Sequence, residues 1–194
     1  MSQSTLSRRL SEVLGVALFA LALLWLISLV TYEPSDPVWF FTTGATHAPA
    51  NFAGRVGAFL AELSFQIAGY AAYLIPAVIA IIGWHYFWCQ TPDAAYTKVT
   101  GVALLVSGAA AFLNLAFGST DVGGKPFDAG GSLGAWIGHW LSEYLNRTGS
   151  IIVLVTFMAL AVILSTQFSF GHLFASASAS SRDASARAIG WMRR

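Results

Sequence analysis

Charged residues and cysteines are scarce in this chain. Only 10% of its 194 residues are charged, whereas 56% are hydrophobic. An ordinary soluble domain carries about 25% charged residues, so this chain could not cover its own surface with polar groups. The composition therefore requires surrounding lipid, and the net charge of +1 gives no polyanion-binding signature. The single cysteine, Cys89, excludes an intramolecular disulfide and is interpreted as a small apolar filler.

Long apolar runs, in contrast, are abundant. Four of them are long enough to cross about 30 Å of hydrocarbon as helices, which satisfy their own backbone hydrogen bonds. These predicted spans cover residues 13–32, 69–88, 99–117 and 151–170. A signal peptide is the alternative for the first run, but the run exceeds a signal-peptide core, and no small-residue cleavage site follows closely. The sequence predicts an all-α, polytopic integral membrane protein.

The first apolar run ends abruptly at "TYEPSDPVW", residues 31–39. Pro34 cannot continue a helix and disfavours helical geometry at Glu33 before it. The amphipathic rings of Tyr32 and Trp39 suit a membrane–water interface, and acidic side chains belong in water. We interpret the stretch as the exit of the first span from the bilayer.

The distribution of Lys and Arg predicts the orientation of the chain. With four spans, both chain ends lie on one side, and that side carries most of the basic residues, so the positive-inside rule predicts cytoplasmic ends. The cytoplasmic set is Arg8, Arg9, Lys98, Arg182, Arg187, Arg193 and Arg194, and the outer set is Arg55, Lys125 and Arg147. The predicted outer loops are residues 33–68 and 118–150, and the inner loop is residues 89–98.

The predicted organisation has three parts. Residues 1–12 form a cytoplasmic N-terminus, residues 13–170 a four-span membrane domain, and residues 171–194 the start of a cytoplasmic linker. The last part is Ser/Ala-rich and then basic, which is typical of a flexible linker that begins near anionic headgroups. A chain with such a tail is expected to be a fragment of a longer protein or a gene product cut short.

Two segments resemble one another at an offset of 77 residues: "GRVGAFLAELSFQ" (54–66) and "GSLGAWIGHWLSE" (131–143). Their polar residues recur at spacings of seven and four, which places them on one face of a helix. The sequence thus predicts amphipathic helices at about 52–68 and 131–147, in or near the outer interface with their polar faces in water. Partial insertion beside the bundle is the alternative, and chance similarity is the alternative to a repeat.

Small residues recur at helical spacings and favour close approach of helices. Two interpretations are open: contacts between copies of the chain, or packing within one bundle. The candidate packing residues are Gly101, Ser107, Gly108, Gly130, Gly134 and Gly138.

No catalytic, cofactor-binding or metal site is predicted. "VGGKPF" (122–127) superficially resembles a phosphate loop but has Pro126 where Ser or Thr is required. The four histidines have no partner at metal-ligand spacing. A small carrier or channel built from the two-fold repeat is an alternative function, with Asn114 and Gln167 as its candidate polar residues. The scarcity of ionisable residues in the spans argues against it.

Three stretches resemble the N-terminal membrane domain of the FtsK/SpoIIIE DNA translocases. They are "TYEPSDPVW", "NFAGRVGAFLAELSFQIAGYAAYLIP" and "AGGSLGAWIGHWLSEYLNRTGS". The resemblance covers roughly residues 10–175 and includes the order of a basic N-terminus, four spans and a polar linker.

The resemblance implies a multi-pass protein of the bacterial inner membrane, located at the division septum. It implies a domain that anchors a cytoplasmic hexameric ATPase, assembles as a homo-oligomer and contacts other division proteins, in support of cell division and chromosome segregation. This chain has no Walker motif, so ATP, magnesium and DNA are expected to bind only a motor outside it. The candidate interaction residues in the outer loops are Asp36, Pro37, Arg55, Gly57 and Asp121.

Overall fold

The computed structural model describes residues 5–38, 48–89, 95–122 and 125–166. Within them, four helical stretches are long and apolar enough to cross a membrane, which confirms the predicted all-α, polytopic fold class. These stretches are Ser7–Val30, Gly54–Phe87, Tyr96–Phe117 and Gly131–Ser165. The predicted linker, residues 171–194, lies outside the described residues.

Five α-helices, a 3₁₀ segment and a β-hairpin make up the described chain. In chain order they are α1 (Thr5–Val30), α2 (Gly54–Ala68), the 3₁₀ segment (Gly69–Tyr73), α3 (Leu74–Phe87), α4 (Ala95–Phe117), β1 (Ser119–Val122), β2 (Lys125–Asp128) and α5 (Gly131–Thr166). The second predicted span therefore begins with the 3₁₀ segment and joins α2 without an intervening loop.

Helices α1 and α3 pack as an antiparallel pair through two glycines. A Cβ atom on Gly15 would lie 2.6 Å from the backbone nitrogen of Phe87, and one on Gly83 would lie 3.1 Å from the Gly15 carbonyl oxygen. The Ser11 hydroxyl donates to the Tyr86 carbonyl oxygen at 2.7 Å. The two backbones approach so closely that a Cβ atom at position 15 would force them apart, and one at position 83 would require its neighbours to shift slightly.

Helices α4 and α5 form the second pair, and the candidate glycines lie in it. A Cβ atom on Gly101 would lie 2.6 Å from the Ser165 backbone nitrogen, and one on Gly130 or Gly134 would overlap the Ala110 carbonyl oxygen. Gly108 faces Met158 and Phe157, and Gly138 faces Asn114 and Leu115. The Ser107 hydroxyl donates to the Ala103 carbonyl within α4. All five glycines thus pack against residues of the same chain.

A bend divides α5. Asn146 has φ 55° and ψ 171°, which lie outside the helical region. Before the bend, the N-terminal arm of α5 (residues 131–145) runs beside the last turns of α4; after it, α5 returns antiparallel to α4. The Arg147 guanidinium donates to the Ala116 carbonyl oxygen at 3.2 Å, near the end of α4.

Residues 147–150 separate the predicted amphipathic helix from the fourth predicted span, and they follow directly after this bend. The Ser150 hydroxyl donates to the Asn146 carbonyl oxygen at 2.7 Å there. The bend thus divides α5 into two helical parts that run in different directions along α4. Residues 167–170 of the fourth predicted span lie outside the described part of the chain.

The two halves of the chain meet at the backbone of Gly69 and Gly131. Both have positive φ, at 59° and 62°, and a Cβ atom on Gly131 would lie 2.7 Å from the Gly69 nitrogen. The Tyr70 amide donates to the Ala129 carbonyl oxygen at 2.9 Å across this contact. The buried core lies beside it and consists of Leu29, Ala61, Phe65, Ala68, Ala71, Ala72 and Ala110.

The β-hairpin was not predicted. Its strands pair antiparallel, with Thr120 opposite Phe127. The Phe127 ring packs edge-on against Phe65 at 5.6 Å and Tyr70 at 5.7 Å, which fixes the hairpin to the core. The Gly-Gly sequence at 123–124 is a turn signal that could have indicated it. We call the part of the molecule formed by the hairpin strands, residues 31–38 and residues 48–57 the loop end of the bundle.

Alanine at Gly101 tests the α4–α5 contact. We expect Gly101→Ala to lower the free energy of unfolding by about 1–3 kcal/mol, because the added methyl group meets backbone atoms of Ser165. Gly108→Ala is the matched control, since its methyl group meets the flexible Met158 side chain and helix propensity improves equally in both variants. Denaturation in detergent micelles, followed by circular dichroism, measures the difference. Equal stability of the two variants would contradict this packing.

Candidate functional site

The loop after α1 contains Asp36, which sequence analysis nominated as an interaction residue. Its side chain is only 2% exposed. One carboxylate oxygen accepts a hydrogen bond from the Ala50 amide at 2.6 Å, and the other accepts from the Asn51 amide at 3.0 Å. Hydrogen bonds to a charged acceptor are stronger than neutral ones. Asp36 therefore ties the chain leaving α1 to the chain that enters α2.

Asn51 completes this connection. Its side-chain amide donates to the carbonyl oxygens of Ser28 at 2.8 Å and Thr31 at 3.1 Å, two acceptors at the C-terminal end of α1. Its side-chain oxygen accepts from the Ala53 amide at 3.0 Å, just before α2. We call this set of hydrogen bonds the Asp36–Asn51 clasp. It joins the end of α1 to the start of α2.

Gly57 is buried against the clasp. A Cβ atom there would overlap the side chains of Asn51 and Ala53 and lie 2.9 Å from the Ser28 hydroxyl.

The backbone hydrogen bond at the start of α2 recurs at the start of the second repeat segment. The Gly57 amide donates to the Ala53 carbonyl oxygen at 3.2 Å, and the Gly134 amide donates to the Gly130 carbonyl oxygen at 3.0 Å.

The helix starts of the two repeat segments share a further feature. Gly54 and Gly131, which occupy matching positions, have φ of 66° and 62°. Other residues rarely adopt this conformation. The two segments therefore resemble one another in local backbone geometry as well as in sequence.

Glu62 joins α2 to the end of α1. Its carboxylate accepts from the Tyr32 hydroxyl at 2.6 Å and from the Gln66 side-chain amide at 2.9 Å. Burial raises the pKa of Tyr32, and the hydrogen bond to Glu62 raises it further. The phenol therefore stays protonated as the donor at neutral pH. The polar face of α2, which includes Glu62, was predicted to lie in water; in the structure Glu62 is half-buried and also joins α2 to the end of α1.

The remaining candidate residues differ in accessibility. Arg55 is exposed on α2, next to Val56, which is 59% exposed, and near Phe52, which is 84% exposed. Among the residues that the structure describes, Arg55 makes no hydrogen bond or ion pair. Pro37 is half-buried beside Asp36. Asp121 lies in β1, opposite Pro126 of β2. Of the two candidate residues on α2, Arg55 is exposed and accessible to another molecule, whereas Gly57 is buried.

An apolar groove of about 280 Å³ lies between α1 and α3. Its lining includes Phe19, Leu26, Tyr73 and Pro76. Within the described ranges, no group of three His, Cys, Asp or Glu side chains is placed to hold a metal ion.

Removal of the Asp36 carboxylate tests the clasp. We expect Asp36→Ala to lower the free energy of unfolding by about 1–3 kcal/mol, because the amides of Ala50 and the buried Asn51 lose their acceptor. Glu33→Ala is the matched control, since Glu33 is an exposed carboxylate in the same loop, and surface changes typically stay within about 0.5 kcal/mol. Denaturation in detergent micelles gives both values. Similar values for the two variants would contradict a structural role for Asp36.

Comparisons with known proteins identify relatives over most of the chain. The family model described as the 4TM region of DNA translocase FtsK/SpoIIIE matches residues 7–178. The chain is 32% identical over 168 residues to "DNA translocase FtsK" of Pseudomonas syringae pv. syringae (strain B728a), covering 84% of this chain and 21% of that protein. It is 30% identical over 168 residues to "DNA translocase FtsK" of Pseudomonas putida, covering 84% of this chain and 20% of that protein.

A relative outside that genus gives the same result. "DNA translocase FtsK" of Shewanella oneidensis is 31% identical over 154 residues, covering 75% of this chain and 16% of the relative. The chain thus spans about a fifth of the length of the curated relatives it matches. No solved structure matches it at a significant level. The four apolar helices, the three motifs and the family match agree, and the chain belongs to the family of the 4TM region of FtsK/SpoIIIE DNA translocases.

Proposed function

We propose that this domain anchors a DNA translocase motor in the inner membrane at the division septum and contacts other division proteins through its loop end. Membership in the FtsK/SpoIIIE family and four apolar helices support the anchoring role. The observation that carries the interaction role is the position of Arg55, exposed on a helix whose start is fixed by the Asp36–Asn51 clasp. A rigid, exposed surface loses little conformational entropy when it binds a partner.

We propose that the loop end faces away from the cytoplasm. The opposite end carries the basic residues Arg8 and Arg9, and there the Cys89 thiol contacts the Arg8 carbonyl oxygen at 3.8 Å. The positive-inside rule favours that end in the cytoplasm. In this orientation both termini are cytoplasmic, and α2, the hairpin and the arm of α5 are at the outer side.

The domain is proposed to act without chemistry of its own. Holding several copies in one membrane patch raises the effective concentration of any motor segments attached to them, so weak motor–motor contacts become intramolecular in effect. A homo-oligomer, a hexamer by family resemblance, fits this role. ATP, magnesium and DNA would then bind the motor of a longer protein.

Two positions support this proposal over the carrier alternative. The amide of Asn114, a polar residue near the end of α4, lies beside Gly138, within the α4–α5 contact. Glu62 is hydrogen-bonded to Tyr32 between α1 and α2. Both polar groups thus serve helix packing, which is the common role of such residues between membrane helices.

Charge reversal at Arg55 tests the interaction role. In a full-length protein that contains this domain, we expect Arg55→Glu to weaken partner binding about tenfold or more. The substitution removes a favourable contact or places two like charges together, and a loss of about 1.4 kcal/mol of binding free energy corresponds to a tenfold change. Cells should then divide late and form filaments while the amount of membrane-inserted protein is unchanged. Cell length, septal fluorescence and immunoblots measure the three quantities.

Arg55→Lys is the matched control, because it keeps the charge at the same exposed position, and it should divide nearly normally. Asp36→Ala should instead reduce the amount of folded protein. Normal septation of Arg55→Glu cells at normal protein level would contradict the proposed contact.

A further inference from the structure

The N-terminal arm of α5 carries three exposed aromatic side chains at four-residue spacing. Trp136 is 71% exposed, Trp140 58% and Tyr144 70%, and the rings of Trp140 and Tyr144 lie 5.2 Å apart. Residues four apart lie on one side of a helix. We call this set the aromatic stripe.

The arm presents three kinds of surface. Its small face, with Gly130, Gly134 and Gly138, is buried against α4. At 3.6 residues per turn, the opposite side divides lengthwise into the aromatic stripe and a neighbouring exposed polar strip. That strip consists of Ser132, His139 and Glu143. The outward side of the arm is therefore amphipathic in its own right.

The matching helix α2 has the same division but different chemistry. Its positions equivalent to the aromatic stripe are Phe59, Leu63 and Ile67, and its polar strip contains Arg55, Glu62 and Gln66. Leu63 and Ile67 are 36% and 47% exposed. Phenylalanine, leucine and isoleucine have no polar atom, whereas tryptophan and tyrosine combine an apolar ring with one hydrogen-bonding group.

We propose that the aromatic stripe binds the lipid bilayer at the boundary between acyl chains and headgroups, and so anchors the arm beside α4. At that boundary, the apolar rings contact lipid while the indole N–H and phenol O–H reach headgroups or water. The polar strip alongside then faces the aqueous side. The proposal goes beyond the septal function and holds or fails independently of it.

The position of the arm beside α4 supports lipid as the occupant. Gly134 lies against Ala110 and Gly138 against Leu115, so the arm runs along the last turns of the apolar helix α4, which is long enough to cross a membrane. Beyond the bend at Asn146, the rest of α5 exposes apolar residues such as Ile152 at 63% and Val155 at 48%, and a span of this composition contacts acyl chains. The stripe therefore lies near the end of the bundle's spans, where polar-tipped aromatic rings are enriched.

Depth-dependent fluorescence quenching tests the proposal. The chain is reconstituted in phosphatidylcholine nanodiscs in which the lipid carries bromine either near the headgroup or near the end of the acyl chain. The emission of Trp136 and Trp140 is obtained as the difference between the unmodified chain and W136F/W140F. W84F/W88F is the matched control, since Trp84 and Trp88 are 56% and 58% exposed near the opposite end of the bundle.

We expect the emission lost in W136F/W140F to be quenched more strongly by bromine near the headgroup than by bromine near the chain end. Equal melting curves of the variant and the unmodified chain establish that phenylalanine keeps the fold. Stronger quenching by the deep bromine would overturn the proposal, because the arm would then lie within the hydrocarbon.

Two further outcomes would also overturn it. Emission that resists both brominated lipids but is quenched by acrylamide would place the stripe in water. Emission that resists all three quenchers, together with disulfide cross-linking of W140C chains in a C89S background, would place the stripe against a second copy.

Discussion

Helices inside a bilayer gain no hydrophobic free energy from packing on one another, because lipid tails are as apolar as their side chains. Close approach of backbones is therefore what holds this bundle together. Gly15 lies against Phe87, and Gly101 lies against Ser165, each at a distance that would bring an added Cβ atom within 2.6 Å of a backbone nitrogen. The two helix pairs, α1 with α3 and α4 with α5, follow from these contacts.

The contact of Gly69 with Gly131 joins the two pairs and positions the loop end. Gly69 ends α2, and Gly131 begins α5, so one contact fixes the placement of both repeat segments. Phe65 lies beside it and packs against Tyr32 at 4.7 Å and Phe127 at 5.6 Å. The end of α1, the hairpin and α2 thus share one aromatic centre. Arg55 is exposed on α2, one of these packed elements.

Several features followed from the sequence because their causes are local. The end of α1 at Val30 precedes Pro34, whose ring excludes helix at that point. The apolar runs predicted spanning helices because bilayer thickness sets their length. The spacing of Gly130, Gly134 and Gly138 indicated close helix packing, but it did not indicate whether the packing partner was another copy of the chain or a helix of the same bundle. In the structure these residues lie against α4 of the same chain.

Other features depend on contacts between distant positions. The burial of Asp36 needs the amides of Ala50 and Asn51, and no pattern around Asp36 specifies that encounter. The Gly15–Gly83 crossing joins two isolated glycines, neither of which belongs to a repeated motif. The hairpin is stabilised by Phe127 on Phe65, a pairing across 62 positions of sequence. The sequence pattern therefore indicated both Asp36 and Arg55 as candidates, but it does not distinguish the buried, structural Asp36 from the exposed Arg55.

We propose that this membrane domain carries its own recognition surface for the division site, independent of any motor. The most direct measurement is the localisation of the 194-residue chain fused at its C-terminus to a fluorescent protein, in dividing cells of its own species. We expect a membrane signal that is enriched at the septum in the absence of motor sequences. An even distribution around the membrane, with the fusion intact and inserted, would contradict it.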